Sequence, residues 1–147
     1  MIICIFLFGG TIGDASNPGA GGIAGKSRLA PCPKTPNCVS SKAPMDKHYV
    51  APLRYTGNKD EAYRKLVDLI SSQQRAQVVA EEANYLRAEF KSALFGFVDD
   101  VEFIFSEDQP VIDVRSASRV GYYDFGVNRR RVEHIRNQWN HDVYLSR

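Results

Sequence analysis

A chain of 147 residues, 44% hydrophobic and 24% charged, can build one domain with a sizeable core but not two ordinary ones. Its formal net charge of +2 is too small to hold a polyanion by bulk attraction. No Lys/Arg block is interleaved with aromatics as a single-strand platform requires, so nucleic acid is not an expected partner.

The chain opens on "MIICIFLFGG", an apolar run too short to cross a bilayer as a helix. It reads as the apolar region of a signal peptide, with Gly13 and Ala15 forming a small-x-small cleavage site before Ser16. An ordinary buried strand is the competing reading, since no cationic stretch precedes the run. The glycine-rich "NPGAGGIAG" sets the run apart from the rest of the chain, which favours export. Residues 1–28 are therefore expected to be leader and flexible linker, and residues 29–147 a single domain. Membrane contact is expected only through the leader, if uncleaved. Cys4 lacks a convincing lipobox, which leaves lipidation a lesser alternative.

Cys32 and Cys38 close "CPKTPNC", a Pro-rich loop short enough for a structural disulfide. Two reduced thiols are the alternative. A zinc site needs more ligands than these and His48, and the spacing is not that of a thioredoxin-like motif, so no metal is expected. "YVAPLRY" (residues 49–55) reads as an edge strand because Pro52 does not suit a central one. Asn58 followed by Glu61 resembles a capping box. Ala62, Leu66, Leu69 and Ile70 recur at helical spacing, giving a helix over about residues 59–73.

"AQVVAEE", "NYLRAEFKS", "FVDDVEFIF" and "PVIDVRSASR" then alternate with a period of two, and the polar links between them suit hairpins. A last helix starts after Asn128, read as its N-cap, with Val127 and Val132 as a hydrophobic staple and Val132, Ile135 and Trp139 as its apolar stripe. His134 and His141 lie on that helix without a third ligand. The expected fold class is α+β: a two-layer sandwich in which an antiparallel meander of four to five strands carries both helices on one face.

Alternation sends Arg87, Glu89, Asp100, Glu102, Asp113, Arg115 and Arg119 to the other face, as a solvated salt-bridged surface or a polar groove. Alternate connections of a meander share an end. The "SALFGF" and "VGYYDFG" loops should therefore gather Leu94, Phe95, Phe97, Asp99, Asp100, Arg119, Tyr122, Tyr123, Asp124 and Phe125, as a binding surface or as a plug of the core's open end. Arg129, Arg130 and Arg131 oppose the helix dipole. Either Asp124 and Glu133 neutralise them, the favoured reading, or they receive an anion.

Together "LAPCPKTPNCVSS", "YLRAEF", "LFGFVDDVEF" and "VRSASRVGYYDFGVNRRRVEHIR" resemble the family called domain of unknown function 1499, over most of residues 29 to 137. The resemblance places its pattern on Cys32, Pro33, Pro36, Asn37, Cys38, Ser40 and Ser41, then Phe97, Asp99, Asp100, Glu102, Arg115, Ser116, Ser118, Arg119, Gly121, Asp124, Gly126, Asn128 and Arg129. Tyr123 departs from it, since a small Ser is expected there. The resemblance also implies the Cys32 to Cys38 bridge and an exported location: periplasm, cell envelope, or thylakoid or chloroplast lumen. It imports no activity.

The leading expectation is a noncatalytic ligand- or partner-binding or assembly module. Its surface comprises Phe95, Phe97, Asp99, Asp100, Glu102, Arg115, Arg119, Tyr122, Tyr123, Asp124, Asn128 and Arg129, and it takes a protein or a small anionic ligand without a cofactor. The alternative is a hydrolase-type enzyme with Asp99 or Asp100 as acid/base and Arg119 stabilising negative charge.

Overall fold

A computed structural model describes residues 28–93 and 95–145 of the chain. The stretch expected to be leader and linker, apart from Arg28, lies outside the described residues, as do Leu94 and residues 146–147. The four alternating segments form strands β3 (Ala76–Glu82), β4 (Tyr85–Lys91), β5 (Val98–Phe105) and β6 (Val111–Ser118). Each pairs antiparallel with the next, as Ala88↔Val101 and Val101↔Ser116 illustrate. The meander is the expected one.

Two short strands complete a sheet of six: β1 (Cys38–Ser40) and β2 (Leu53–Arg54) both lie along the outer edge of β6. The second falls in the expected edge segment, where Pro52 has no N–H to offer a ladder. The first was hidden in the Pro-rich loop, because three residues show no alternation.

Helix α1 (Lys59–Ser71) starts where the capping residue predicts: Asn58 Oδ1 accepts from the backbone N–H of Asp60 and Glu61. That bond satisfies donors a helix start leaves free. Its buried residues Ala62, Leu66, Leu69 and Ile70 join Val132, Ile135 and Trp139 of helix α2 (Val127–Leu145) in one core. The same core holds Leu86, Ala88, Phe90, Val101, Phe103, Phe105, Ile112 and Val114, one alternation of the strands. Truncating fully buried Leu66 to Ala would cost about 2–5 kcal/mol.

A register shift between Val78 and Ala80 changes the alternation of β3. Ala76 and Val78 pack on the main core, whereas Ala80 packs with Leu29, Tyr85 and Ile104 in a second cluster. That cluster belongs to the opposite alternation, and here the expectation of a solvated surface is corrected. Asp100, Glu102 and Arg115 are essentially fully buried and Asp113 nearly so. Leu29 packs against Tyr85 and Ile104, and a disulfide ties Cys32 to Cys38, whose partner on β6 is Ala117. The chain ahead of β1 therefore supplies part of the cover.

Helix α2 departs from expectation at its start. Asn128 is not the N-cap: the helix begins at Val127, Asn128 is fully buried, and Val127 is too exposed to staple anything. Positive φ at Phe125 (54°) and Gly126 (75°) folds the chain sharply enough to begin the helix early. Asp124 takes the capping role, its Oδ1 accepting from Gly126 N–H and its Oδ2 from Asn128 N–H, both at 2.9 Å. Among the described residues no helix is long and apolar enough to cross a membrane.

Candidate functional site

The β4–β5 loop and the segment after β6 do meet, as the meander requires: Arg119 N–H donates to the Val98 carbonyl at 3.1 Å. Their rings do not close the core. Phe95 is 71% exposed, Phe97 53%, Tyr122 71%, Tyr123 57% and Phe125 76%. Ring contacts form within each loop, Phe95 with Phe97 at 5.7 Å between centroids and Tyr123 edge-on to Phe125 at 5.0 Å. Val120 and Val127 extend the patch, so seven of the nine exposed large hydrophobic residues among those described gather at this end. Monomeric proteins seldom leave such groupings uncovered without a use for them.

The loop is shaped from below. Gly121 (φ +89°) and Gly126 (φ +75°) occupy left-handed conformations, and a Cβ at Gly126 would crowd the Arg130 guanidinium at 3.2 Å. Asn37 of the disulfide loop donates from Nδ2 to the Gly121 carbonyl at 2.6 Å. Asn128 Nδ2 lies within hydrogen-bond reach of the Asn37 carbonyl, Ser118 Oγ and Asp124 Oδ2, while its Oδ1 accepts from Ser116 Oγ. Sequence reasoning left Asn37 out of the site. Its place in the family pattern was the available signal.

The favoured neutralisation of the arginine cluster by Asp124 and Glu133 is not what forms. Asp124 is used on backbone N–H groups, and Glu133 pairs with Arg136. Arg129 donates to the carbonyls of Tyr49 and Lys47, and Arg130 to that of Phe125. Arg131 pairs with the buried Asp99 at 2.5 Å and lies over the Phe90 ring, 4.9 Å from its centroid. The spacing of charges along one helix pointed to local partners. Arg129 and Arg131 instead reach segments distant in the chain, and Arg130 turns back onto the loop.

Behind the strands the remaining expected residues form a second constellation. Asp100 receives both Nε and one terminal nitrogen of Arg119, at 2.7 and 2.8 Å, and Arg119 also bonds Glu89. Those bonds, Asp100 first and then Glu89, hold the Arg119 guanidinium even more firmly protonated than usual. Glu102 accepts from Arg115 and from the Tyr85 hydroxyl, each at 2.9 Å. Burial above all, then the Glu102 charge and this hydrogen bond, push the Tyr85 phenol well above its ordinary range. Arg87, within 3.9 Å of Glu89 and of Asp100, brings the set to three cations and three anions. Arg87 stands on the charged face where alternation places it, whereas Tyr85, on the same alternation of β4, is not among the residues the sequence singles out.

Asp99 and Asp100 face opposite sides of the sheet, Asp99 toward Arg131 and Asp100 toward Arg119. They do not converge. The alternative reading placed Asp100 and Arg119 in separate catalytic roles, and they are bonded to each other. Asp113 lies apart, bonded to Ser41 and paired with Lys42 at 2.7 Å. A cleft of about 680 Å³ opens at the far end of the sheet, lined by residues that include Arg28, Pro31, Asn84, Ser106 and Asp113. Of the residues expected on the charged face, only Asp113 lines it. His48, the nearby zinc candidate, is buried with Nδ1 2.9 Å from the Cys38 carbonyl oxygen.

Residues 28–139 match the model of a family described as "Protein of unknown function (DUF1499)". Neither curated proteins nor solved structures gave a match.

Proposed function

The chain belongs to the DUF1499 family, and on that premise we propose that it is a noncatalytic binding or assembly module that works through the aromatic end of its sheet. One observation carries the reading: the exposed rings of two adjoining loops crowd one end of the sheet, over a base that buried hydrogen bonds hold in place. Surface rings on a fixed frame bring large contact area with little ordering cost on binding. The expected Arg and Asp residues support that frame rather than line the surface. A two-layer arrangement, both helices on one sheet face, is favoured by the single core that joins them to one strand alternation.

The Cys32–Cys38 disulfide supports placing the module in an oxidising compartment, a periplasm, cell envelope or organelle lumen, since such bonds persist there. The hydrolase reading loses support because Asp99 and Asp100 are buried ion-paired carboxylates with no nucleophile keyed to either.

Photo-cross-linking in the producing cell tests the proposal. A benzophenone side chain at Tyr122 should form an adduct, and one at Met45, also an exposed large hydrophobic residue but distant in the sequence, should not. Equal yields at the two positions would contradict it.

A further inference from the structure

The charges around the aromatic end say what kind of surface it fits, on the reading that this end is where the protein binds. Every carboxylate described there is already engaged. Asp99 meets Arg131, Asp100 and Glu89 meet Arg119, and Asp124 caps the helix. The cations are not so balanced. Arg75 and Lys91 are exposed at the same end, joined by the Lys91 N–H to Arg75 carbonyl bond, and neither meets a carboxylate among the described residues. Arg130 is exposed as well, and its guanidinium spends one N–H on a carbonyl.

We infer that this end docks on an anionic lipid bilayer, with Phe97, Tyr122 and Phe125 in the headgroup zone and Arg75, Lys91 and Arg130 against lipid phosphates. Aromatic rings favour that zone because one part of it is apolar and the other wet. Each nearby Lys or Arg adds attraction to an anionic leaflet. The rings belong to loops at one end of the sheet and the unpaired charges beside them have one sign, so the complementary partner is a negatively charged surface with an apolar interior. A folded protein partner would have to supply an unpaired acidic rim to match.

The test uses the full chain carrying Phe97→Trp, read against the wild type to subtract the buried Trp139, so that the added indole reports on the loop and not on the apolar residues that open the sequence. Vesicles are phosphatidylcholine alone or mixed with phosphatidylglycerol, with and without brominated acyl chains. Emission from the introduced indole should shift blue and be quenched on the phosphatidylglycerol vesicles. Arg75→Gln with Lys91→Gln should weaken that binding by about fivefold per cation removed, and raised salt should do the same. An indole left unquenched on both vesicles overturns the lipid assignment. So does equal binding to both compositions with no loss in the Gln variant.

The binding reading fails separately. If the Tyr122 cross-linker yields a protein adduct while the introduced indole stays unquenched, the surface binds a protein and the lipid is wrong. If neither signal forms, both are wrong.

Discussion

Behind the strands, Asp100 and Glu102 are fully buried and all four of their carboxylate oxygens meet a guanidinium or a phenol. The loops that leave the same strands leave Phe95, Tyr122 and Phe125 mostly in solvent, with Phe95 against Phe97 and Phe125 against Tyr123. The usual placement of charge outside and ring inside is reversed over about one strand length. Charges withdrawn from water must be paired and hydrogen-bonded, so their positions are tightly specified. Rings left in water stabilise little where they are, and their use must be sought outside the fold.

If that contrast holds, the charged set breaks first. Arg115→Ala leaves Glu102 buried with only the Tyr85 hydroxyl, and should destabilise the protein by about 3–5 kcal/mol in urea unfolding. Asn128→Ala should follow at about 1–3 kcal/mol, because it strands Ser116, Ser118 and the Asn37 carbonyl together. Reducing the Cys32–Cys38 bridge, which closes a loop across a separation of 6, should lower stability by about 2 kcal/mol. It should also loosen the Asn37 tie beneath the aromatic loop, read as faster amide exchange near Gly121.

Alkaline titration sharpens the comparison further. The folded Tyr85 pKa is raised above its ordinary value of 10.0, so its contribution is complete below about pH 10. It is lost as pH climbs from there toward the folded value, because only the unfolded state ionises easily. Tyr63, raised chiefly by burial, acts in the same direction. The fall in stability above pH 10 should therefore become shallower in Tyr85→Phe without vanishing. An unchanged slope would remove the phenol from the account.

The strands and helices were legible because their apolar periods are long: four segments alternate cleanly, and Leu66, Ile70, Ile135 and Trp139 keep helical spacing. β1 was not, since three residues beside a disulfide carry no period. The meeting of the two loops followed from meander geometry alone. Which groups pair within that end did not, because it depends on the left-handed turn at Phe125 and Gly126 and on Asn37 arriving from far along the chain. The burial of Glu102 was equally hidden. A charged alternation reads as solvated until something such as Leu29 is known to lie over it.

The smallest expected effect bears most directly on the central claim that the rings are presented and not packed. The measurement is the urea unfolding free energy of the triple variant Phe97→Ser, Tyr122→Ser and Phe125→Ser against the wild type. The account predicts a difference within about 0.5 kcal/mol per substitution, as for surface positions generally. A loss of about 3 kcal/mol or more per ring, the range of a truncated core aromatic, would make these side chains the plug of the core and contradict the account.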